Sequence, residues 1–404
     1  MRNRAFLWVS FLAVHIALSW LCLNAQGLPL GDVTLVYKPW AGQALNEQFV
    51  VGIDTEWVYP LLAIVPMLAA SVAGFENFGI AWLVMVTVLD LAAFAVLIRG
   101  GRRRRAAAWW WIVALACLGP IALARVDSVT VPLAIVGTLI ALRYPAVAGA
   151  ALAVATWMKV WPAALIAGLV IVLRARVRVV LAGVAVTIAV VGGALALGSG
   201  WNVLSFLTEQ TGRGLQIEAP LSMVYLWQAA LGVPGFFVYY DSTILTFQVT
   251  GTDVDVAIAL ATPLLVAAVL SVVLIGIRAI RMGAARASVL PTLILALVAS
   301  LIVFNKVGSP QFMVWLFVPV IIGLVIKGSD FTVPAAIVLA MCALTQVVYP
   351  YLYSLLLNTW GPMVVVLTVR NIGTVVVLGW AVVKLWRAGS AAHRRADAAL
   401  AAPV

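Results

Sequence analysis

Continuous apolar runs separated by short polar clusters form the main pattern of this chain. Several windows of about 20 residues hold no charge, which is the length that a helix needs to cross about 30 Å of hydrocarbon. Strands of a transmembrane barrel would instead alternate apolar and polar residues. The pattern therefore predicts an all-α polytopic membrane protein. We expect about twelve transmembrane helices, near residues 5–25, 77–98, 107–123, 128–142, 146–158, 161–173, 178–197, 256–278, 287–304, 311–326, 331–348 and 361–386.

Composition and charge support the same class. Hydrophobic residues make up 65% of the chain and charged residues 10%, far from the balance of soluble domains. The net charge of +11 lies in short basic clusters between apolar runs, such as "RGGRRRR" at 99–105 and "RARVR" at 174–178. This positive-inside pattern argues against nucleic acid as a partner and predicts a multi-pass protein of the cell (cytoplasmic) membrane with both termini in the cytoplasm. All acidic residues except Asp90, Asp330 and Asp397 then fall on the external side, which we expect to be the functional face.

Two external loops, at about 26–76 and 198–255, are long enough to fold. In the first, the apolar stretch 59–75 contains two prolines and predicts a helix lying at the membrane interface. In the second, the apolar stretch 219–231 could dip into the membrane. Both loops are therefore expected to carry interfacial helices.

No linker or repeat divides the apolar part of the chain. We interpret residues 1–387 as a single transmembrane domain and residues 388–404 as a short basic cytoplasmic tail. Cys22, Cys117 and Cys342 each lie inside an apolar run and are expected to be small core residues. The sequence contains no P-loop, HExxH or GxSxG motif. We therefore predict neither a metal site nor a cofactor.

Polar residues recur at the outer ends of the predicted spans and in the external loops. A charge at mid-membrane costs about 2.5 to 3.5 kcal/mol on insertion scales, so such residues usually face a polar cavity. The pattern indicates a cavity open to the outside, acidic at its rim and cationic deeper down. Its expected members are Asp32, Asp54, Glu56, Arg125, Asp127, Lys159, Arg213, Gln216, Glu218, Lys306, Ser309, Gln311 and Arg370.

Such a cavity suits a ligand that joins a lipid phosphate to a sugar. A phosphate at headgroup depth needs cations to bind it. The candidates for this role are Lys159, Lys306, Arg213 and Arg370. A sugar hydroxyl that becomes a nucleophile needs a carboxylate to take its proton. Asp32 follows the first apolar run directly and is the candidate general base.

Five motifs occur in order along the external side of this predicted topology, the first of them in two parts. The first loop begins with "GDVTLVYKPW" and continues with "EWVYPLLA". The segments "ARVD", "AGAALAVATWMKVWPAAL", "RGLQIE" and "NKVGSPQFMVWL" follow. Together they resemble the GT-C integral-membrane glycosyltransferases, specifically glycosyltransferase family 87, the polyprenyl-phosphate-mannose-dependent mannosyltransferases of actinobacteria. The likeness extends from about residue 31 to residue 320.

The resemblance implies a mechanism and a set of site residues. Members of this family take a sugar from a polyprenyl-phosphate donor at the outer side of the cytoplasmic membrane and transfer it with inversion, so that a β-linked mannose becomes α-linked. Their general base corresponds to Asp32. The implied activity is that of an α-1,2-mannosyltransferase of glycolipid biosynthesis in the cell envelope, with a glycolipid or lipoglycan acceptor. The implied substrate contacts are Tyr37, Lys38, Asp54, Glu56, Arg125, Asp127, Gln216, Glu218, Ser309 and Gln311.

Structural roles for the same charges stay open at this point. The possible pairings are Arg125 with Asp127, Arg213 with Glu218, and Arg370 with Asp90. Asp127 could also cap the following helix, and Lys159 could extend to the membrane surface. Asp32 with Asp54 or Glu56 could hold a divalent cation.

A second functional class also stays open, namely a multi-span transporter or flippase of a lipid-linked or anionic substrate. Such proteins usually bind their substrate near the membrane midplane, on broken helices related by internal repeats. This chain shows no internal repeat, and its polar residues lie mostly at outer span ends. The pattern therefore favours the enzyme.

Overall fold

Helices form nearly all of the regular structure. The structure, a computed structural model, describes residues 2–209 and 212–400, with side chains described within 4–394. Its α-helices are α1 Arg2–Asn24, α2 Lys38–Leu45, α3 Ile64–Ser71, α4 Phe78–Ile98, α5 Arg102–Leu118, α6 Asp127–Ile140, α7 Pro145–Thr156, α8 Ala163–Val172, α9 Arg176–Ala196, α10 Met223–Ala230, α11 Val254–Arg281, α12 Arg286–Val303, α13 Phe317–Lys327, α14 Thr332–Gln346, α15 Tyr353–Leu357 and α16 Gly361–Leu400. The strands β1 Phe237–Asp241 and β2 Thr246–Thr250 form a hairpin.

Short 3₁₀ and π-helical turns connect or extend these helices. The 3₁₀ turns are Leu61–Ala63, Phe75–Asn77, Gly119–Ala122, Gly200–Leu207, Pro220–Ser222, Pro310–Leu316 and Gly328–Phe331, and the π-helical turns are Asp32–Tyr37 and Val347–Tyr351. Many contain glycine or proline, which interrupt the regular α-helical hydrogen bonds. Asp32 begins one of these turns, Asp32–Tyr37, and Gln311 lies within another, Pro310–Leu316.

The length and apolarity of the helices identify a membrane protein. Among the described residues, eight helical segments are long and apolar enough to cross a membrane. They are Arg4–Asn24, Phe75–Ile98, Arg102–Ala122, Arg176–Ala196, Val254–Arg281, Arg286–Val303, Pro310–Tyr351 and Gly361–Arg394. The prediction of an all-α polytopic membrane protein is confirmed.

The number of membrane crossings stays a prediction. Every predicted span overlaps a described helix, and the continuous segment Pro310–Tyr351 contains both α13 and α14. However, α6, α7 and α8 have only 14, 12 and 10 residues. At 1.5 Å per residue, none of these three helices alone crosses a full hydrocarbon layer of about 30 Å.

Burial separates a central helix from peripheral ones. The apolar window of α12 is 78% buried, and α12 packs against α8, α11, α13 and α16. By contrast, the windows of α9 and α11 are each 11% buried. A helix that is apolar on all sides is stable either inside a protein core or against lipid. We therefore interpret α12 as the core helix and α9 and α11 as lipid-facing helices.

One polar pair lies inside the helical bundle, between α1 and α4. His15 Nε2 is 3.1 Å from Asp90 Oδ2, and both residues are buried. His15 Nδ1 is 2.9 Å from the carbonyl oxygen of Phe11, one turn earlier in α1. A cavity of about 10 Å³ adjoins Asp90 and is also lined by Ser128 and Trp111. A space of this size holds at most one water molecule.

The two long loops fold differently from each other. The first, between α1 and α4, is helical: α3 falls within the predicted stretch 59–75, so a helix there is confirmed. The second, between α9 and α11, contains α10 within the predicted stretch 219–231, and also the β1–β2 hairpin. The sequence analysis did not predict the hairpin, which lies beyond the stretch 219–231.

The hairpin gains a third strand-like partner from the segment just before α10. Ile217 N–H donates to Phe247 O at 3.1 Å, and Val249 N–H donates to Leu215 O at 3.0 Å. These bonds place segment 215–217 along β2, on the side away from β1. The result is a small sheet that holds the "RGLQIE" segment in a fixed position.

The C-terminal segment extends the last helix. α16 runs through the boundary predicted at residue 387 and continues to Leu400. The described part of the predicted tail is therefore a continuation of this helix, and residues 401–404 lie outside the described residues.

Candidate active site

Residues from six separate parts of the chain meet in one polar site. We call it the polar cluster: Asp32, Arg125, Asp127, Lys159, Arg213, Glu218, Lys306 and Arg370. Three ion pairs join six of its members. The other two, Arg213 and Lys306, are close enough for the charge of Arg213 to add to the effect of burial and lower the pKa of Lys306. Most of its members follow or precede a helix, where the backbone turns and side chains from different helices can meet.

Asp32 is held by Arg125. Arg125 Nε lies 2.9 Å from Asp32 Oδ2, while the two Nη atoms donate to Pro29 O at 2.7 Å, Ala124 O at 2.7 Å and Tyr349 Oη at 3.0 Å. Burial by itself would lower the pKa of Arg125, but the Asp32 carboxylate raises it above its usual value. The Arg125 side chain is 7% exposed and that of Asp32 is 38% exposed. Arg125 therefore fixes one carboxylate oxygen and leaves the carboxylate accessible.

The backbone around Asp32 is fixed at both ends. Gly27 has φ +82° and contacts Pro350 so closely that a Cβ atom would overlap the Pro350 carbonyl oxygen. Asp32 begins the π-helical turn, and Tyr37 ends it with a buried ring whose Oη accepts the N–H of Val126 at 3.4 Å. Only glycine combines this positive φ with such close contact. The turn thus places Asp32 against the segment that carries Arg125.

Asp127, the first residue of α6, forms the second ion pair. Its Oδ2 lies 4.0 Å from Lys159 Nζ, and its Oδ1 accepts Trp315 Nε1–H at 2.6 Å. Lys159 Nζ lies 4.4 Å above the Tyr59 ring. The Trp315 ring stacks on Trp161 at 5.8 Å. The buried carboxylate of Asp127 therefore joins two segments of the chain. Lys159 lies in the segment after α7, and Trp315 lies in the segment before α13.

Glu218 and Arg370 form the third ion pair, in which both side chains are 3% exposed. Glu218 Oε2 lies 3.3 Å from Arg370 Nη2, which also donates to the Glu218 carbonyl oxygen at 3.0 Å. Burial raises the pKa of Glu218 to about 7, although Arg370 and Arg125 act in the opposite direction. Gly308 packs directly on the backbone of Glu218 and Ala219. This contact joins the "RGLQIE" segment to the "NKVGSPQ" segment.

Arg213 and Lys306 bring two cations together. Burial lowers the pKa of Lys306, and the nearby charge of Arg213 lowers it further. Burial also lowers the pKa of Arg213, although Glu209 and Asp241 act in the opposite direction. Arg213 Nε is buried and has no hydrogen-bond partner among the described residues. Two adjacent, partly desolvated cations favour the binding of an anion.

The remaining predicted residues lie around this cluster. Lys38 begins α2, and Ser309 precedes the 3₁₀ turn in which Gln311 is buried. Asp54 and Glu56 are exposed in the first long loop, where Asp54 Oδ2 accepts the N–H of Val50 at 2.6 Å. Gln216 is buried and its N–H donates to Lys306 O at 3.0 Å. Within the part of the chain that the structure describes, no three His, Cys, Asp or Glu residues form a metal-binding group.

The set was predicted to be acidic at its rim and cationic deeper down. Two of its acids are not at the surface, since the side chains of Asp127 and Glu218 are 1% and 3% exposed. Each is buried beside a cation, because an unpaired charge inside the protein would be too costly. Of the acidic members of the polar cluster, only Asp32 is substantially exposed.

The alternative pairings considered from the sequence are also not the observed ones. Arg125 pairs with Asp32, and Arg370 pairs with Glu218. Asp90, the other candidate partner of Arg370, pairs with His15. Asp127 begins α6 but makes no capping hydrogen bond with its side chain.

Three aromatic residues of the site were missed by the sequence analysis. Tyr349 Oη accepts a hydrogen bond from Arg125, and Trp315 Nε1–H donates one to Asp127. The Tyr59 ring lies below the ammonium group of Lys159. Each motif that contains Tyr59 or Trp315 was noted, but aromatic residues are common at membrane interfaces, so their individual roles gave no distinct signal. Tyr349 lies in the segment "VVYPY". The tyrosines on both sides of a proline are the sequence feature that could have indicated a role for this segment.

Comparisons with known proteins add no assignment. No protein-family model matches the chain, and no curated protein or solved structure matches it significantly.

Proposed function

We propose that the protein is a GT-C type glycosyltransferase similar to family 87, which transfers a mannosyl residue from a polyprenyl-phosphate-mannose donor to a hydroxyl group of a glycolipid or lipoglycan. The observation that carries this proposal is the pairing of one accessible carboxylate, Asp32, with a buried group of cations. Proton removal and anion stabilisation, the two requirements of the reaction, are thereby available within one site.

The reaction follows from these roles. Asp32 takes the proton of the acceptor hydroxyl, whose oxygen attacks the anomeric carbon of the donor. The bond from this carbon to the phosphate oxygen breaks, and the bonding electrons leave with the phosphate. Attack from the face opposite the leaving group inverts a β-linked mannose to an α-linked one. No redox partner is needed for this step.

The four predicted phosphate-binding residues supply positive charge for the donor phosphate. Lys159 and Arg370 each also neutralise a buried carboxylate. Burial lowers the pKa of Lys306 and Arg213 is close enough to lower it further, so an anion that binds near both would reduce the repulsion between them. We therefore assign the donor phosphate to this group of four cations. Lys159 and Arg370 then keep Asp127 and Glu218 from repelling it.

The proposal includes the placement of the protein in the membrane. With basic clusters on the cytoplasmic side, both termini are cytoplasmic and the polar cluster opens to the external side. About twelve crossings satisfy this arrangement. A lipid-linked sugar would then meet Asp32 while its hydrocarbon chain stays in the bilayer.

Replacement of the proposed base tests this function. Asp32→Asn keeps an oxygen that accepts a hydrogen bond from Arg125 but removes the ability to take a proton. In membranes supplied with radiolabelled polyprenyl-phosphate-mannose and lipid acceptors, we expect transfer to fall by about 10² to 10⁴-fold. Glu76→Gln, an exposed acid of the same loop, is the matched control and should leave transfer unchanged. Transfer by Asp32→Asn at the wild-type rate would contradict the proposal.

A further inference from the structure

Tyr59 lies in a segment that is hydrogen-bonded to two other parts of the chain. Trp57 N–H donates to Ser205 Oγ at 2.8 Å, which attaches the segment to the loop between α9 and α11. Leu62 N–H donates to Trp157 O at 2.9 Å, which attaches it to the residue that follows α7. The backbone on both sides of Tyr59 is therefore fixed to other segments.

Three other aromatic rings pack around the Tyr59 ring. It meets Trp57, Tyr37 and Trp40 edge to face, with ring centroids 5.5, 6.3 and 6.1 Å apart. Edge-to-face contacts are favourable for aromatic pairs, so they stabilise one orientation of the ring. Tyr59 is nevertheless only half-buried. The residue is thus held in place and still accessible.

Two cations of the polar cluster lie near Tyr59. Lys159 Nζ is 4.4 Å from the centroid of its ring. Burial lowers the pKa of Arg213, and Tyr59 is close enough to act in the opposite direction. Lys159 follows α7, whereas Arg213 lies in the loop between α9 and α11. Cations from two distant parts of the chain therefore lie beside one tyrosine.

The cations near Tyr59 are accessible as well. The Lys159 side chain is 19% exposed, and Arg213 is half-buried. Asp32, the proposed base, has a side chain that is 38% exposed. The Asp127 carboxylate, by contrast, is 1% exposed. A ligand can therefore contact Tyr59 and its neighbouring cations without entering the buried part of the polar cluster.

We propose that Tyr59 is a binding residue for the donor phosphate: its hydroxyl group donates a hydrogen bond to the phosphate, and its ring keeps Lys159 in position to contact the same group. This inference rests on the proposed function, since it takes the bound anion to be the lipid phosphate of the donor. It adds a neutral hydrogen-bond donor to the four cations assigned to that phosphate.

A tyrosine hydroxyl suits this role because it is a donor without charge. A phosphate group presents several acceptor oxygens at once, whereas Lys159 already shares its charge with Asp127, 4.0 Å away. The phenolic O–H donates a hydrogen bond and adds nothing to the repulsion between neighbouring cations. A hydrogen bond to an ionised acceptor is also stronger than one between two neutral groups. Tyr59 can therefore strengthen the binding of an anion at little cost in repulsion.

Binding of a lipid phosphate to the full chain tests this role. The probe is decaprenyl phosphate, added to the purified protein in lipid nanodiscs, with the Kd measured by native mass spectrometry. Tyr59→Phe keeps the ring below Lys159 but removes the hydroxyl group, and we expect the Kd to rise by at least about tenfold. Wild-type affinity in this variant would overturn the proposal.

A second tyrosine beside a cation provides the matched control. Arg143 Cζ lies 5.2 Å from the centroid of the Tyr144 ring, in the segment between α6 and α7. Tyr144→Phe makes the same chemical change outside the polar cluster, so its Kd for decaprenyl phosphate should stay within about twofold of wild type. An equal loss of affinity in Tyr144→Phe and Tyr59→Phe would overturn a specific role for Tyr59.

Inorganic phosphate is a second probe, which distinguishes the source of the anion. Weaker binding of decaprenyl phosphate in Tyr59→Phe supports the proposal. Weaker binding of inorganic phosphate alone would overturn it, because the site would then bind a free anion.

A kinetic measurement separates this inference from the proposed function. Tyr59→Phe should raise the donor KM and leave the acceptor KM unchanged. An increase in the acceptor KM alone would overturn the role in donor binding. If Asp32→Asn shows wild-type transfer, the proposed mechanism fails, whereas loss of affinity for decaprenyl phosphate in Tyr59→Phe would still support the phosphate contact.

Discussion

The His15–Asp90 pair and the polar cluster both place charged residues among the described helices, and they differ in how completely their groups are paired. In the His15–Asp90 pair, both ring nitrogens of His15 have partners, at 2.9 and 3.1 Å. In the polar cluster, by contrast, Asp127 Oδ2, Glu218 Oε2 and the Nε atoms of Arg213 and Arg370 lack hydrogen bonds among the described residues. The first site is closed, and the second has unused capacity to bind a ligand.

This difference indicates that the charged residues of the two sites have different roles. A closed pair joins two helices and fixes how they pack, which requires no ligand. An incompletely paired group of charges lowers stability unless something else binds it, and such groups are typical of functional sites. Since the His15–Asp90 pair lies apart from the polar cluster, mutations can probe the two sites separately.

The largest expected effect on stability comes from breaking the Glu218–Arg370 pair. At a pH above about 7, where Glu218 is ionised in the wild type, Arg370→Met leaves its carboxylate without a cation unless it takes up a proton, and we expect the free energy of unfolding to fall by up to about 3–5 kcal/mol. Thermal unfolding of the purified protein in detergent micelles measures this. The double variant Glu218→Gln with Arg370→Met removes both charges and should recover much of the loss. Equal stability of the single and double variants would contradict a coupled pair.

The pH dependence of stability should report the same pair. In the folded protein the pKa of Glu218 is raised from 4.5 to about 7, so between these values the folded state keeps a proton that the unfolded state releases. Stability from this group is therefore fully present below pH 4.5, falls as the pH rises, and is lost above about 7. The change is on the order of 3 kcal/mol at about 1.4 kcal/mol per pKa unit.

A matched variant isolates the contribution of Glu218 to this profile. Glu218→Gln cannot titrate, so its unfolding temperature should decrease less than that of wild type as the pH rises from 4.5 to 7. Identical slopes for the two proteins would show that other groups control the dependence.

The contrast between the two sites also shows what the sequence can predict. Apolar runs and basic clusters are local signals, and they were sufficient to predict the membrane class and most helices. The residues of the polar cluster were also predicted, because each stands out against an apolar background. Their partners were not: Glu218 and Arg370 are 152 residues apart, and a long separation leaves no local trace in one sequence.

The hairpin illustrates a second reason for failure. β1 reads "FVYYD" and β2 reads "TFQVT", which are aromatic and β-branched residues typical of strands. In a membrane protein the same residues are common at interfaces and in helices, so the strand signal is weak against that background. The pairing of these strands with each other and with segment 215–217 is shown only by the folded structure.

A moderate effect is expected from opening the closed site. Asp90→Leu leaves His15 Nε2 without a partner inside the bundle. We expect a loss of about 1–3 kcal/mol in the free energy of unfolding, measured by thermal unfolding in micelles. Sugar transfer, measured at a temperature where the variant is folded, should stay close to wild type, because Asp90 does not contact the polar cluster in the described structure. A selective loss of transfer in a stable variant would instead connect the two sites.

The smallest effect is expected from Asp90→Asn, and it identifies the state of the closed pair. His15 Nδ1 faces the Phe11 carbonyl oxygen, which only accepts, so Nδ1 carries a hydrogen. A hydrogen bond between His15 Nε2 and Asp90 Oδ2 then needs a second hydrogen. Either His15 carries it, as an imidazolium beside a carboxylate, or Asp90 carries it, as a carboxylic acid beside a neutral imidazole. In Asp90→Asn, the amide N–H can donate to a neutral Nε2, so we expect the stability to change by less than about 1 kcal/mol. A loss as large as that of Asp90→Leu would show that the pair is an imidazolium with a carboxylate, because an amide cannot balance a buried positive charge.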